Sequence, residues 1–216
     1  MLDSTARRAF PRWLKLGYTA WFLVWVPAYW VDSGPANFLW LCDVANFVLL
    51  AALWLESSLL ISSQAVSVLL IQFAWIIDFG TRLVAGFHPI GGTEYMFESW
   101  RPLFGRLLSL FHVFIPVLLI YALWRLGHDR RGWRLQCLIC WLVLPLSFWI
   151  GEPEANLNWL WGPFGLEQTW MPPVAFLAFC MVAYPLAIYL PTHGLITAWL
   201  RRSGRPIHGA AAAAPR

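Results

Sequence analysis

Residues 102–126 read PLFGRLLSLFHVFIPVLLIYALWRL, a long and mostly apolar run. About 20 apolar residues, each adding about 1.5 Å of rise, let a helix cross roughly 30 Å of hydrocarbon. His112 lies near the middle of this run, with Ser109 one turn before it and Pro116 one turn after it. An ionisable side chain at mid-membrane depth is costly, so His112 is the first candidate for a functional site.

The whole chain has the composition of a membrane protein. It contains 216 residues, of which 60% are hydrophobic and only 12% are charged, whereas a soluble domain is about 25% charged. We predict one all-α domain over residues 1–201, a polytopic membrane helix bundle, followed by a disordered cytoplasmic tail over residues 202–216. The six predicted transmembrane helices are 13–31, 36–55, 58–79, 102–126, 133–150 and 172–195, the last bent at Pro185 and Pro191.

The basic residues predict an orientation. All but three of the fifteen lysines and arginines fall in the N-terminal segment, between the fourth and fifth helices, or near the C-terminus. The exceptions are Arg82, Arg101 and Arg106. Because cytoplasmic loops carry the basic excess, we expect both termini in the cytoplasm and the two long loops, 80–101 and 151–171, outside. No cleavable signal sequence is recognised, so we expect the first apolar run to remain in the membrane. Basic residues at helix ends do not predict nucleic-acid binding.

The third helix carries a polar stripe that should face the bundle interior. Gln64, Ser67, Asp78 and Arg82 share one face at 100° per residue, and Gln72 lies beside it. Asp78 and Arg82 are spaced i, i+4 and so can form an ion pair. The alternative is that the serine and glutamine side chains only join neighbouring helices through hydrogen bonds.

A second group of polar residues is predicted at similar depth. Asp43 and Asn46 share a face of the second helix. Asp43 should lie about 10 Å below the outer boundary, and His112 about 15 Å below it. We therefore predict an outward-opening polar site in which His112 acts as base or proton carrier and Asp43 orients it. The alternative is an ion pair that only stabilises the bundle.

The remaining predicted contacts to a ligand come from the helix ends and loops. Asn46, Gln72, Asp78 and Arg82 are predicted to bind the substrate from the helices. Asn156 and Asn158 are predicted to do so from the second outer loop, which mixes glycine, proline, aromatic and acidic residues. That loop has an equally simple interpretation as an interfacial segment with an aromatic belt.

Cys137 and Cys140 form a Cys-x-x-Cys pattern that resembles the redox pair of membrane quinone-linked thiol oxidoreductases such as the vitamin K epoxide reductase family. The predicted depth in the cytoplasmic half, where thiols stay reduced, and the lack of a second pair oppose a redox role. Two histidines at matching depth would be needed for a bis-histidine haem, and His112 and His193 differ in depth. We predict no metal site and identify no cofactor.

Four stretches carry a resemblance to known families: FLWLCDVANF (38–47), GGTEYMF (91–97), SLFHVFIP (109–116) and residues 156–159. They resemble an uncharacterised family of short bacterial multi-pass integral membrane proteins, which implies a location in the bacterial inner membrane. They are also similar to the androgen-induced and androgen-dependent membrane hydrolases and related transmembrane acyl-handling proteins. Those proteins use an early threonine nucleophile and a later histidine, which His112 matches. Trp40 stands where the threonine would, so Cys42 or Asp43 would have to replace it.

Three functions remain open from the sequence. The protein is a membrane enzyme that acts on a lipid or another apolar small molecule, a non-catalytic ligand-binding or transport protein, or a structural subunit that binds other membrane-protein subunits. All three imply membrane lipids as partners. A closed pocket at His112 favours the first, a continuous polar path the second, and a packed interior the third.

Overall fold

A computed structural model describes residues 9–209, and most of this part of the chain is helical. The α-helices are α1 (Arg12–Ser33), α2 (Leu41–Leu55), α3 (Ser58–Ala85), α4 (Leu103–Leu108), α5 (Phe111–Leu126), α6 (Gly132–Ile150), α7 (Pro173–Ala183) and α8 (Leu190–Arg202). A π-helical segment, Tyr184–Tyr189, joins α7 to α8. Two short strands, β1 (His128–Asp129) and β2 (Ile207–His208), pair in parallel. Short 3-10 helices lie at Pro35–Leu39, Glu94–Met96, Pro153–Ala155, Leu157–Trp159 and Pro163–Gly165.

Four helical stretches in this part of the chain are long and apolar enough to cross a membrane. They are Ser58–Ala85, Leu103–Leu126, Gly132–Ile150 and Pro173–Arg202. The other two predicted spans do not reach the same length and apolar character. α2 is apolar but has only 15 residues. α1 is long enough at 22 residues, but it contains Lys15, Asp32 and several tyrosine and tryptophan rings, which lower its apolar character.

The bundle is built around α3. This helix packs most extensively against α2, α5 and α6, and it also contacts α8. Every residue from 61 to 69 is buried, so the first half of α3 is enclosed on all sides rather than along one stripe. Ser57 caps its first turn by accepting a hydrogen bond from Leu60 N at 3.3 Å. Gly86 ends it with a φ of 82°, a conformation that favours glycine.

Successive helices place their ends alternately at two sides of the bundle. The side we call the loop end carries residues 86–102 and 151–172 and the C-terminus of α1, where Asp32 lies against Gly105. The opposite side, called the basic end, carries the α2–α3 turn, the α5–α6 connection and the end of α8. There Ala9 N donates to Glu56 Oε2 at 2.8 Å. The alternation is that of an antiparallel helix bundle.

Two predicted helices are interrupted. The stretch 102–126 is divided by a turn at Ser109 and Leu110, and the last stretch widens into the π-helical segment at Pro185. Proline has no N–H to bond the carbonyl four residues earlier. That carbonyl, on Met181, instead accepts a hydrogen bond from Trp141 Nε1 at 2.9 Å. The bend predicted at Pro185 is therefore a π-helical turn.

The C-terminal tail is ordered as far as the structure describes it. After α8 the chain turns back, and β2 pairs with β1 in the α5–α6 connection. Gly127 makes this possible, because a Cβ there would lie 2.4 Å from the Pro206 carbonyl oxygen, and its φ is +79°. Residues 210–216, which belong to the tail predicted to be disordered, and the basic residues Arg7 and Arg8 lie outside the described residues.

Candidate functional site

The break after α4 determines how His112 is held. In a continuous α-helix Val113 N would bond the Ser109 carbonyl, but here it bonds Leu110 O at 2.9 Å. The Ser109 carbonyl instead accepts from His112 twice, from its backbone N at 3.2 Å and from its side-chain Nδ1 at 2.8 Å. A local departure from helical geometry therefore fixes the orientation of the imidazole.

The His112 ring is enclosed between two aromatic rings. It stacks on Trp75 at 4.7 Å between centroids with an interplanar angle of 10°, and on Phe111 at 4.0 Å. Phe79 extends the stack on the other face of Trp75 at 5.0 Å. With Nδ1–H engaged, the neutral imidazole presents Nε2 as an acceptor. Within residues 9–209 no side chain hydrogen-bonds to that nitrogen.

Hydroxyl groups surround this histidine on the loop-end side. The Tyr29 hydroxyl and Ser109 Oγ are 2.5 Å apart, and Ser109 Oγ also donates to the Gly105 carbonyl at 3.3 Å. Tyr95 reaches in from the first long loop. Burial raises the pKa of Tyr95, while hydrogen bonds to Ser109 and to Trp75 lower it.

Asp43 does not orient His112 as predicted. It is 2% exposed in the first turn of α2, and its Oδ2 accepts a hydrogen bond from Asn37 Nδ2 at 2.8 Å. Its Oδ1 lies 3.9 Å from Cys42 Sγ. The imidazole takes its orientation from the Ser109 carbonyl instead. We call Tyr29, Asp43, Tyr95, Ser109 and His112 the His112 cluster, in which Ser109 hydrogen-bonds to both Tyr29 and His112.

Asp78 and Arg82 do not pair, contrary to the i, i+4 prediction. The Asp78 carboxylate accepts hydrogen bonds from Ile90 N at 2.8 Å, from Gly91 N at 2.9 Å and from the Thr93 hydroxyl. Its Oδ2 also lies 2.9 Å from His88 Nδ1. Arg82 donates to the Gly86 carbonyl and lies over the ring of Phe97. Asp78 thus holds the first long loop on α3 and leaves no oxygen for a ligand.

The two asparagines of the second loop are also engaged by the protein. Asn158 Oδ1 accepts from Leu41 N at 2.9 Å, and its Nδ2 donates to Leu39 O and to Ser147 Oγ. Asn156 bonds the backbone of Trp161 and Gly162 with both ends of its amide. Both residues adopt positive φ, at 43° and 50°, which asparagine tolerates well. In the structure both side chains bond groups of the protein, where the prediction had them bind a substrate.

Asn46 and Gln72 differ in how much of the side-chain amide is bonded. Asn46 Oδ1 lies 3.2 Å from the Tyr18 hydroxyl, in the α1–α2 contact, whereas its Nδ2 has no partner among the residues described. Gln72 is fully buried, and neither end of its amide has a partner among the residues described. Buried amide groups without partners are rare in protein interiors. Trp75, one turn away on α3, stacks on His112, and its indole N–H faces the Tyr95 hydroxyl.

Sequence reasoning missed a histidine pair at the basic end. His128 Nε2 and His193 Nδ1 are 2.8 Å apart, and both side chains are buried. His128 follows α5 by two residues, and His193 lies near the end of the predicted helix 172–195, so their similar depth could have been recognised. Nearby, Gln136 joins α6 to α3 by donating to Ser67 Oγ at 2.8 Å.

The cysteines and potential metal ligands add no further site. Cys42, Cys137, Cys140 and Cys180 are all free thiols. Within residues 9–209, no three histidine, cysteine, aspartate or glutamate side chains gather where they could hold a metal ion. Comparisons of the chain with protein-family models, with curated proteins and with solved structures give no match.

Proposed function

We propose that the chain crosses a bacterial inner membrane six times, with both termini in the cytoplasm, and acts as an enzyme on a lipid or another apolar small molecule at the His112 cluster. The loop end then faces outward, and the cluster lies in the outer half of the membrane. A ligand would enter from the lipid or from below the two long loops.

The geometry of His112 is the observation that supports this proposal. One ring nitrogen is fixed by the Ser109 carbonyl, and the other has no hydrogen-bonding side chain among residues 9–209. A histidine held in this way can take a proton from a bound water or substrate hydroxyl through Nε2. Tyr29 and Tyr95, both bonded to Ser109, supply the hydroxyls that would bind the polar group of the same molecule.

The unpaired amide of Gln72, one turn from the Trp75 ring that stacks on the histidine, supports a ligand as well. It offers one acceptor oxygen and two donor hydrogens without partners among the described residues. A buried polar atom without a partner costs about 1–3 kcal/mol. A ligand headgroup or ordered water at this position would recover that cost.

Turnover of lipids by purified protein tests the proposal. The wild type, His112→Ala and Val117→Ala would be placed in nanodiscs made from a total bacterial lipid extract, and products followed by mass spectrometry. Val117 is 67% exposed on α5 and serves as the control. We expect loss of turnover by about 100-fold or more in His112→Ala alone, the usual range for a general base. Equal turnover in all three proteins, or none in the wild type, would contradict the enzyme assignment.

Proton conduction is the second candidate, because polar side chains follow α3 through much of its length. From the basic end they are Gln64, Ser67, Gln72 and Asp78, with Gln136 bonded across from α6. Proteoliposomes with a trapped pH indicator would show proton flux after an imposed potential. Flux that falls in Gln136→Leu favours conduction, and absence of flux in the wild type removes this candidate.

A further inference from the structure

A cleft of about 460 Å³ opens at the basic end between the start of α1 and the last turn of α5. It is lined by Ala9, Phe10, Pro11, Arg12, Tyr121 and Arg125. We propose that this cleft binds the phosphate group of an anionic phospholipid. The site is separate from the His112 cluster, which lies toward the loop end.

The two arginines give the cleft its charge. Arg12 and Arg125 are both exposed, and neither forms an ion pair within residues 9–209. The Arg125 guanidinium lies 5.9 Å from the centre of the Tyr121 ring, which fixes it beside the cleft. One guanidinium group can bind two phosphate oxygens at once, and it is more weakly hydrated than an ammonium group. Two guanidinium groups without ion-pair partners therefore favour a phosphate in this cleft.

The wall of the cleft is already formed. Glu56, in the α2–α3 turn, accepts hydrogen bonds from Ala9 N at 2.8 Å and Phe10 N at 3.4 Å. Its carboxylate also binds Lys15 Nζ at 2.6 Å, so the lysine charge is neutralised and does not compete for the ligand. Phe10 is fully buried, and the centre of its ring lies 6.1 Å from the centre of the Tyr121 ring. Binding a phosphate here requires little ordering of the backbone, which favours affinity.

The exposed tryptophans beside the cleft favour a lipid over a soluble anion as its ligand. Trp13, which is 73% exposed, follows Arg12, and Trp124, which is 38% exposed, precedes Arg125. Exposed tryptophans are typical of the membrane–water interface. Basic clefts between helices at the cytoplasmic interface bind the headgroups of anionic lipids. The phosphate of phosphatidylcholine carries its own choline cation, so phosphatidylglycerol should bind better.

Native mass spectrometry of the full chain in detergent with added lipid tests this proposal. The proteins are the wild type, Arg12→Gln/Arg125→Gln, and Arg134→Gln/Arg201→Gln. The control double variant removes two exposed basic residues from the same end of the bundle but outside the cleft. We expect the wild type to prefer phosphatidylglycerol over phosphatidylcholine by about 10- to 30-fold. The first variant should lose this preference, and the control should keep it.

Three results would overturn the proposal. Equal loss of preference in both double variants would mean that diffuse charge, rather than the cleft, attracts the lipid. Displacement of phosphatidylglycerol by millimolar inorganic phosphate would mean that the cleft binds a free anion. No preference in the wild type would mean that the cleft binds no phosphate. An unchanged melting temperature in the variants shows that both fold, and Arg12→Lys/Arg125→Lys should restore most of the preference.

Discussion

Single polar residues in this bundle divide into those that the protein uses for itself and those that it leaves free. Asp78, Asn156 and Asn158 bond backbone atoms with most of their polar groups. His112 keeps one nitrogen free of described side-chain partners, and Gln72 keeps both ends of its amide free. Asp78 and His112 are both buried ionisable residues of apolar helices, so residue type alone does not separate the two roles. The hydrogen-bond geometry separates them.

Replacing Asp78 by asparagine should release the first long loop from α3. An amide cannot accept all the hydrogen bonds that the carboxylate accepts from Ile90 N, Gly91 N and the Thr93 hydroxyl. We expect a loss of about 2 kcal/mol or more in the free energy of unfolding and faster hydrogen exchange at residues 88–97. Glu98→Gln is the control, since its exposed pair with Arg101 contributes less than about 1 kcal/mol. Unchanged exchange in Asp78→Asn would contradict the role given to this carboxylate.

His128 should make the folded protein sensitive to acid. Burial, followed by the neighbouring His193, lowers the pKa of His128 from 6.5 to about 4. Below pH 6.5 the imidazole of His128 is protonated in the unfolded chain but stays neutral in the folded chain until the pH approaches 4. The free energy of unfolding therefore falls as the pH drops from 7 toward 4. We expect about 2 kcal/mol less stability at pH 5 than at pH 7 from this group.

The melting temperature followed by tryptophan fluorescence measures this effect. His128→Gln should flatten its decrease between pH 7 and pH 5. His208→Gln, at an exposed position of the same end, removes only a minor contribution to the pKa of His128 and should keep most of the wild-type slope. The same slope in wild type and His128→Gln would show that another group causes the acid sensitivity.

The sequence predicted which residues are buried better than it predicted their partners. His112, Asp43, Gln72 and Asp78 are all buried, as their positions in apolar helices indicate. The pairing of Asp43 with His112 was wrong, because depth along a helix does not determine which neighbour a side chain meets. Ser109 replaced Asp43 as the partner of His112 through a helix break that the apolar pattern does not reveal.

At the scale of elements, close approach of α3 and α6 depends on a single glycine. A Cβ on Gly132 would lie 2.6 Å from Ser62 Cβ and 2.9 Å from the Ser62 carbonyl carbon. We expect Gly132→Ala to destabilise the protein by about 1–3 kcal/mol, since the two helices would have to separate. Gly194→Ala is the matched control, because nothing lies within 4 Å of the added Cβ in α8. It should be neutral or stabilising by up to about 1 kcal/mol.

Thermal unfolding in the same detergent compares the two glycine variants directly. A Gly132→Ala protein as stable as Gly194→Ala would show that the α3–α6 contact is loose enough to accept a methyl group. The predicted helices match the elements in order, but α2 begins at Leu41 rather than at 36 and α3 continues to Ala85 rather than ending at 79. Proline predicted the bend at Pro185, whereas the interruption at Ser109 does not follow from hydropathy. Hydropathy averages over a turn or more and does not report which backbone hydrogen bonds are exchanged.

At the scale of the whole molecule, the basic residues are concentrated at one of the two ends of the helix bundle. The described basic residues at the basic end include Arg12, Arg130 and Arg201, whereas the loop end has only Arg82, Arg101 and Arg106 among the described residues. This distribution follows the positive-inside rule if the basic end is cytoplasmic. Four stretches meet the length and apolarity of a span, and the fold places α1 and α2 antiparallel beside them. Six crossings therefore require that these two helices also lie in the lipid.

Cysteine labelling of intact cells with an impermeant maleimide tests both the orientation and the number of crossings. The four native cysteines are first replaced by alanine, and single cysteines are then placed at the exposed positions Ser33, Glu94 and Arg130. Position 94 lies in the first long loop, position 130 in the α5–α6 connection, and position 33 at the end of α1. With six crossings and cytoplasmic termini, positions 33 and 94 react from outside and position 130 reacts only after lysis.

Reaction at 130 without reaction at 94 would reverse the orientation. Reaction at 94 but not at 33 would mean that α1 and α2 do not cross, because a helix of 22 residues followed by one of 15 must then lie at the inner surface.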